Sequence, residues 1–565
     1  MHGLTLIVAV VAILGFGVLS LFNALQRRQA WYKNKSSEPP GPSLIPWVGR
    51  LHDLPIEYMW LKFAEWAKTY GPIYRTQMLG DYFIIISDEK IAEDLLVKRS
   101  KTYGDRPQIR SLFDPKSTNG SMEYLPLMGK NEYWARQRKF THAYLTEATN
   151  ARYYGTLYHE AKRWNMRLLT DPDNFAFYLE DMAAKVSCQL TWDNPDLSEY
   201  CCKSAWGLLT QMSPAGPITN VITPLWDLPF AINPWKIAER KRHDEQQAWW
   251  MDRLLTTRKL MEKGQARPSF TRTYLEGDKT GGGRLSGDYE ASSAIGMMAL
   301  VAIFTVAGPL YYFLLAMIVH PEWQKRVQEE IDENCCGRMP ELTDMPNLPV
   351  LRACIKETMR WRPNVPTGVA HELMEDDFYN GYFIPKGSRI LPLDWAMLRN
   401  ETKYPDPENF RPERWLEPSW PTYQEPLSQY PSIMGMSSFG WGQRACLGQS
   451  LTRDETVVAC GGLLWAFNLV RKKGPDGKEI DPPLNKSNSL LIVKPDAFEM
   501  AFEPRSETRR QQIVDEWEAS NAADKADRAA FAKEAGEKFV DSALGTPVDS
   551  DHELETVEIT AEITA

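Results

Sequence analysis

The stretch SSFGWGQRACLGQSL, residues 437–451, constrains this chain more than any other. It sets Phe439, Gly442, Arg444, Cys446 and Gly448 at the spacing F-x-x-G-x-R-x-C-x-G, and a helical pattern, LGQSLTRDETVVACGGLLWAF, begins directly after the cysteine. A sulfur at a helix N-terminus lies among unpaired N–H groups and the positive end of the helix dipole, both of which favour its thiolate. Glycines on each side let the backbone pass close to a flat, bulky ligand. Arg444 supplies a cation suited to a carboxylate, and Phe439 can cover the sulfur and keep water from it. A lone cysteine is ordinarily a small buried hydrophobe; five agreeing positions outweigh that reading here.

Matched without a gap, this spacing resembles the haem-binding signature of the cytochrome P-450 family, and other family motifs follow in the same order. Glu357 and Arg360, in KETMR (356–360), stand at i and i+3 on one helix face, where they can pair. Alone such a pair is usually a solvated surface feature. FRPERW (410–415) resembles the family's P-E-R-F element, which implies that Arg414 joins Glu357 and Arg360 in a buried charge network under the cysteine pocket. Losing one member of such a network strands the others unpaired. Upstream, WARQR (134–138) matches W-x-x-x-R, so the resemblance assigns Trp134 and Arg138 to a haem propionate. His371, in PTGVAHEL, sits where relatives often place another propionate partner; a satisfied strand histidine is the other reading. Carried over residue by residue, the resemblance implies haem b with Cys446 as the iron ligand. Trp134, Arg138, His371, Phe439, Gly442, Arg444 and Gly448 would hold it. The implied fold is mainly α with a small β subdomain.

From Ala294 to Val319 the chain carries no charged residue, and the run is long enough to span a bilayer as a helix. Gly308-Pro309 in its middle, and motifs on both sides that need one globule, favour a buried central helix instead. FLLAMIVHPEWQ (313–324) resembles the end of the family's long I helix and sets the register. Relatives usually carry Ala/Gly-Gly-x-Asp/Glu-Thr here, whereas this chain has Ala302-Ile303-Phe304-Thr305: the threonine is kept and the acid is replaced by Phe304. Thr305 is therefore the expected catalytic residue, relaying protons to the distal oxygen. Pro309 lacks an N–H, so the carbonyl of residue 305 loses its helical partner and the helix kinks. A water held by that carbonyl could stand in for the missing carboxylate.

The remaining features bound the chain's class. It has 565 residues, 43% of them hydrophobic and 25% charged. That is ample material for a large core. A net charge of −9 argues against nucleic-acid binding. Eight cysteines, two adjacent pairs and four singles, do not resemble a disulfide framework or a zinc site. Leu4 to Leu25 is uncharged and long enough as a helix to cross a membrane. No Lys or Arg precedes it and no clear cleavage site follows, which weighs against a signal peptide. Arg27, Arg28, Lys33 and Lys35 follow, placing the body on the cytosolic side. The expected organisation is an anchor (1–26), a basic, proline-rich hinge (27–50), a haem-thiolate domain (51–504) and a polar, flexible extension (505–565). Gly71–Tyr82 is expected to form short strands broken at Gly80.

By resemblance, the protein is an endoplasmic-reticulum enzyme taking electrons from NADPH through a membrane-bound reductase. It would use O₂ to hydroxylate or oxidatively couple a hydrophobic small molecule, most like fungal members acting in secondary metabolism. The missing acid keeps two other readings open: an oxygen-independent isomerase or dehydratase, and a haem-based sensor.

Overall fold

The computed structural model describes residues 37–46, 48–109, 112, 121–149, 153–277 and 285–534. The anchor expected over Leu4–Leu25, with its flanking basic residues, lies outside them, as do the glycine-rich 278–284 and the chain after 534.

The long helices that build the body of the described chain are α1 (Met59–Tyr70), α2 (Glu132–Glu147), α3 (Tyr153–Thr170), α4 (Phe175–Trp192), α5 (Ser198–Met212), α6 (Pro234–Glu262), α7 (Asp288–Val319), α8 (Pro321–Asn334), α9 (Pro349–Trp361), α10 (Gln449–Ala466) and α11 (Glu507–Glu534). The long uncharged run is the central one, α7. A helix apolar all round must be enclosed, and α7 is buried along almost its whole length. α4, α5, α6, α9 and α10 all pack against it. Asp288 and Glu290 complement the dipole at its start. Its end comes at His320, which the following Pro321 pushes out of the helical region. The backbone there stands at φ −121° and ψ 66°.

The strands gather into small sheets. β1 (Ile73–Met78) and β2 (Asp81–Ile86) form a hairpin closed by Leu79-Gly80, both at positive φ, as a tight two-residue turn requires. This is the expected break at Gly80. β2 continues into a parallel pairing with β6 (Arg389–Pro392), and β6 pairs antiparallel with β3 (His371–Glu372). Ile84, Ile85 and Ile86 are all buried, so both faces of β2 are covered, consistent with an inner strand. Two further hairpin-like pairs, β4 (Asp377–Tyr379) with β5 (Tyr382–Ile384) and β7 (Phe467–Arg471) with β8 (Met500–Pro504), complete the mainly helical fold with small sheets.

Within the polar C-terminal extension, Glu507–Glu534 forms α11 and lies along α3. Ile513 is 1% exposed. Trp517 rests against His159 with ring centroids 5.2 Å apart. Lys162 pairs with Glu516 at 2.7 Å, and the Arg509 guanidinium lies 4.5 Å over the Trp465 ring. A few contacts at one-turn spacing dock a helix whose overall composition is polar.

Candidate functional site

Cys446 lies in the turn before α10, and Gly448 is the cap residue of that helix. The Cys446 backbone N–H donates to the Phe439 carbonyl at 2.7 Å, closing the loop on itself. Gly448 N–H donates to Sγ at 3.3 Å, and Arg138 Nη2 donates to the neighbouring Ala445 carbonyl at 2.7 Å. Ser437 and Ser438 both bond the buried Asp394 carboxylate, which pins the start of the loop. Gly442 sits at φ +55°, and a Cβ there would lie 2.1 Å from the Leu96 carbonyl oxygen. Only glycine fits such a position. The Cys446 side chain opens into an internal cavity of about 310 Å³. Enclosure by protein pushes the thiol pKa up, against the pull of Gly448 N–H and Arg138. The helix terminus alone therefore does not make a thiolate here; a coordinated cation would.

Around one rim of the cavity stand Arg106, Trp134, Arg138, His371 and Arg444. Asn131 caps α2 by accepting from Trp134 N–H at 2.8 Å, which puts Trp134 and Arg138 on its first turns. Both oxygens of Glu290, on α7, accept from Arg136 Nε at 2.9 Å and fix α2 to the central helix. Arg444 Nε donates to the Gly104 carbonyl at 2.8 Å and its guanidinium lies 4.3 Å over the Trp134 ring. Its Nη1 and Nη2 are buried without hydrogen-bond partners. Arg106 donates to the carbonyls of Pro126, Val369 and Ala370 at 3.2, 2.9 and 2.6 Å. Burial, then the Arg444 and Arg138 charges, hold its pKa well below the arginine range. Burial likewise lowers Arg138, and Arg444 to about 10. The carboxylate facing them, Asp105, is 3.9 Å from Arg444 and already accepts from the N–H groups of Arg106 and Lys130. His371 is 2% exposed, with Nδ1 on the Tyr103 carbonyl at 3.0 Å; burial and Arg106 depress its pKa, leaving it neutral. Three buried or half-buried cations with so little counter-charge, beside an open sulfur, suit a flat ligand bearing a pair of carboxylates. Haem fits this donor set.

The expected charge network lies beneath, wholly buried. Arg360 grips Glu357 with Nη2–Oε1 at 2.8 Å and Nε–Oε2 at 2.9 Å, and Arg414 Nε reaches Oε1 at 3.1 Å. Trp415 Nε1 and Arg411 N–H complete the carboxylate at 3.0 and 2.9 Å. The spare guanidinium donors go to the carbonyls of Leu398, Pro405, Asp406, Pro407 and Asn409, so the network ties together the loops between α9 and the cysteine turn.

Above the sulfur runs α7, presenting Met297, Met298, Val301, Ala302, Thr305 and Val306 to the cavity. Thr305 Oγ1 donates to the Val301 carbonyl at 2.7 Å. The Thr305 carbonyl, expected to hold a water, accepts from Asn364 Nδ2, on the loop after α9, at 3.3 Å. Phe304 is buried, its ring 6.3 Å from that of Trp206.

The family model described as cytochrome P-450 matches residues 39–500. The chain belongs to the cytochrome P-450 family. Curated P-450 relatives include the monooxygenase virE of Hypocrea virens, 30% identical over 514 residues that cover 90% of this chain and 92% of that protein. The monooxygenase claR of Ampulloclitocybe clavipes is 31% identical over 498 residues, covering 85% and 88%. A zebra fish cytochrome P-450 solved with progesterone superposes with a TM-score of 0.64 at 22% identity, over 79% of this chain and 99% of that one, which bears on the fold. The protein is thus a P-450 monooxygenase, an oxidoreductase of a family that carries haem iron and draws on an electron donor, a redox partner, O₂ and a small-molecule substrate. Among the described residues, the structure places Thr305, Cys446, Phe439, Gly448, Trp134, Arg138, His371 and Arg444 on the lining of one cavity, with Gly442 in the turn just before Arg444 and not on the lining itself. Sequence reasoning missed Arg106 and Asn364. The only local trace of Arg106 is a cation set in the otherwise turn-like YGDRPQ, and Asn364 carries no trace at all.

Proposed function

We propose that this P-450 is a membrane-anchored, endoplasmic-reticulum enzyme of fungal secondary metabolism that binds haem b through Cys446. It takes electrons from NADPH through a reductase and hydroxylates a neutral, apolar small molecule. The observation that carries this reading is the open Cys446 sulfur beside a largely buried, under-neutralised cluster of arginines. Arg106, Arg138 and Arg444, with Trp134 and His371, would hold the propionates, and Phe439 would shield the sulfur. When bound, the haem supplies O₂ activation and removal of hydrogen from the substrate. The Thr305 hydroxyl, its hydrogen directed to the Val301 carbonyl, keeps its lone pairs free to accept a hydrogen bond from a protonated group in the cavity. Methionine and valine side chains of α7, with Val365 and Val369, exclude water and favour an uncharged substrate. Fungal relatives and the basic residues after the uncharged N-terminal run support the setting.

The test uses full-length protein in microsomes. After dithionite and carbon monoxide, wild type should show the red-shifted Soret band of sulfur coordination, and Cys446→Ser should lose it. NADPH and O₂ consumption with a reductase present, and a product heavier by one oxygen, separate hydroxylation from dimeric coupling, isomerisation and gas sensing. A pigmented, folded wild type lacking that band would end this reading.

A further inference from the structure

Pro309 interrupts the hydrogen bonding of α7 beside Thr305. It has no N–H to offer, so the Thr305 carbonyl, four residues earlier, loses the i+4 donor that a regular helix would give it. A buried carbonyl left in that state is costly. Asn364 meets the need from outside, donating Nδ2–H at 3.3 Å. It is well placed to do so repeatably: it is 7% exposed, and its own carbonyl accepts Val493 N–H at 2.7 Å. Gly308 permits the approach. A Cβ at that position would lie 3.0 Å from the Val493 carbonyl oxygen and 3.3 Å from Asn364 Cβ. Glycine, proline and asparagine therefore make one joint, in which the helix gives up a bond at 309, thins at 308 and is clasped from the loop after α9. The adjoining side chain, Phe304, brings no polar group to the joint.

We propose that Asn364 is a positioning residue for oxygen chemistry: by making the hydrogen bond that Pro309 cannot, it fixes the course of α7 and with it the place of the Thr305 hydroxyl above the cavity. It acts through Thr305 and not on the substrate. The inference rests on the haem-thiolate reading above, and adds to it the group that holds the proton-handling residue in place when no acid stands beside it.

The experiment compares four full-length holoenzymes: wild type, Asn364→Leu, Pro309→Ala and the double variant. Leucine fills the same space without the donor. Peroxide released per NADPH should rise about threefold or more in N364L, the scale of one lost hydrogen bond. Hydrogen exchange of the peptide spanning 301–313 should rise with it. In P309A the new N–H at 309 can serve the Thr305 carbonyl, so adding N364L there should change both readouts much less, a non-additive cycle. Equal changes in both backgrounds, or no change in N364L, would overturn the proposal. Should N364L fail to take up haem, Asn364→Ala, which also lacks the donor, carries the same comparison. The two readings fail separately: a wild type without the sulfur-type carbon monoxide band removes the premise, whereas a normal band with unaltered leakage and exchange in N364L removes this inference alone.

Discussion

At the scale of single residues, the site is a set of groups that protein alone leaves dissatisfied. Burial raises the Cys446 thiol although Gly448 N–H and Arg138 pull the other way. Burial and like charge lower Arg106, and Arg444 keeps two guanidinium nitrogens without hydrogen-bond partners. A haem would resolve these conflicts together, since its iron favours the thiolate and its carboxylates answer the arginines. Arg106→Ala should accordingly weaken haem retention by roughly tenfold to a hundredfold, the range for a buried charge-assisted hydrogen bond. The check is the rate at which apomyoglobin strips haem from the purified variant. Thr305 calls for a different measurement. Thr305→Ala should release more peroxide per NADPH while keeping the carbon monoxide band, and Thr305→Ser should restore coupling. Unchanged coupling in T305A would leave the threonine as helix filler.

Secondary-structure elements are held to one another by buried charge, in two contrasting ways. Between α9 and the loops before the cysteine turn, Glu357 accepts from Arg360, Arg414, Trp415 and Arg411, so the ions are fully answered. Glu357→Ala should cost about 3–5 kcal/mol, because it leaves two arginines buried without their anion. The expected result is a large fall in melting temperature and in recovered haem protein. Between α3 and α4 the balance is poorer. Glu160 is 3% exposed, its Oε2 has no partner, and burial raises its pKa to about 7 despite Arg163 and Lys185. A carboxyl whose pKa is raised on folding stabilises the fold below its unfolded value, near 4.5, and that stability is lost as pH rises through the folded value. Glu160→Gln should therefore change little at pH 5 and stabilise by about 2–3 kcal/mol at pH 8. Melting curves at the two pH values measure this, and a gain of the same size at both would contradict it.

For the molecule as a whole, the central helix and the cofactor are two halves of one core. α7 is enclosed by α4, α5, α6, α9 and α10, and its cavity face is the stretch that protein leaves uncovered. The arginine rim joins α2, the 104–106 segment and the cysteine loop around that gap. Haem-free protein should melt at a lower temperature than the holoprotein, with hydrogen exchange rising first over 131–138 and 437–448. Adding haem should reverse both changes, because a ligand bound only by the folded state stabilises it in proportion to its affinity. Exchange confined to α11 would place the weak point elsewhere.

Local chemistry was legible wherever a function needs several residues close together in the chain. The loop from Phe439 to Gly448 must turn, cap a helix and offer a sulfur within one short stretch, so its spacing announced the site. α7 was likewise readable, since a long uncharged run interrupted by Gly308-Pro309 suits a buried helix with a break in its bonding. The charge network was readable only through resemblance, because Glu357 and Arg360 alone look like a surface pair and Arg414 lies far along the chain from both. Arg106 and Asn364 depended wholly on tertiary structure. Each is a single polar residue in an irregular segment, and its role arises from the atoms that folding brings to it: the arginine rim in one case, a carbonyl orphaned by Pro309 in the other. The docking of α11 belongs with them, as Ile513 and Trp517 acquire meaning from the surface of α3. Sequence encodes such contacts without displaying them, because a hydrogen bond or a packed ring is a property of two distant segments and neither carries its pattern alone.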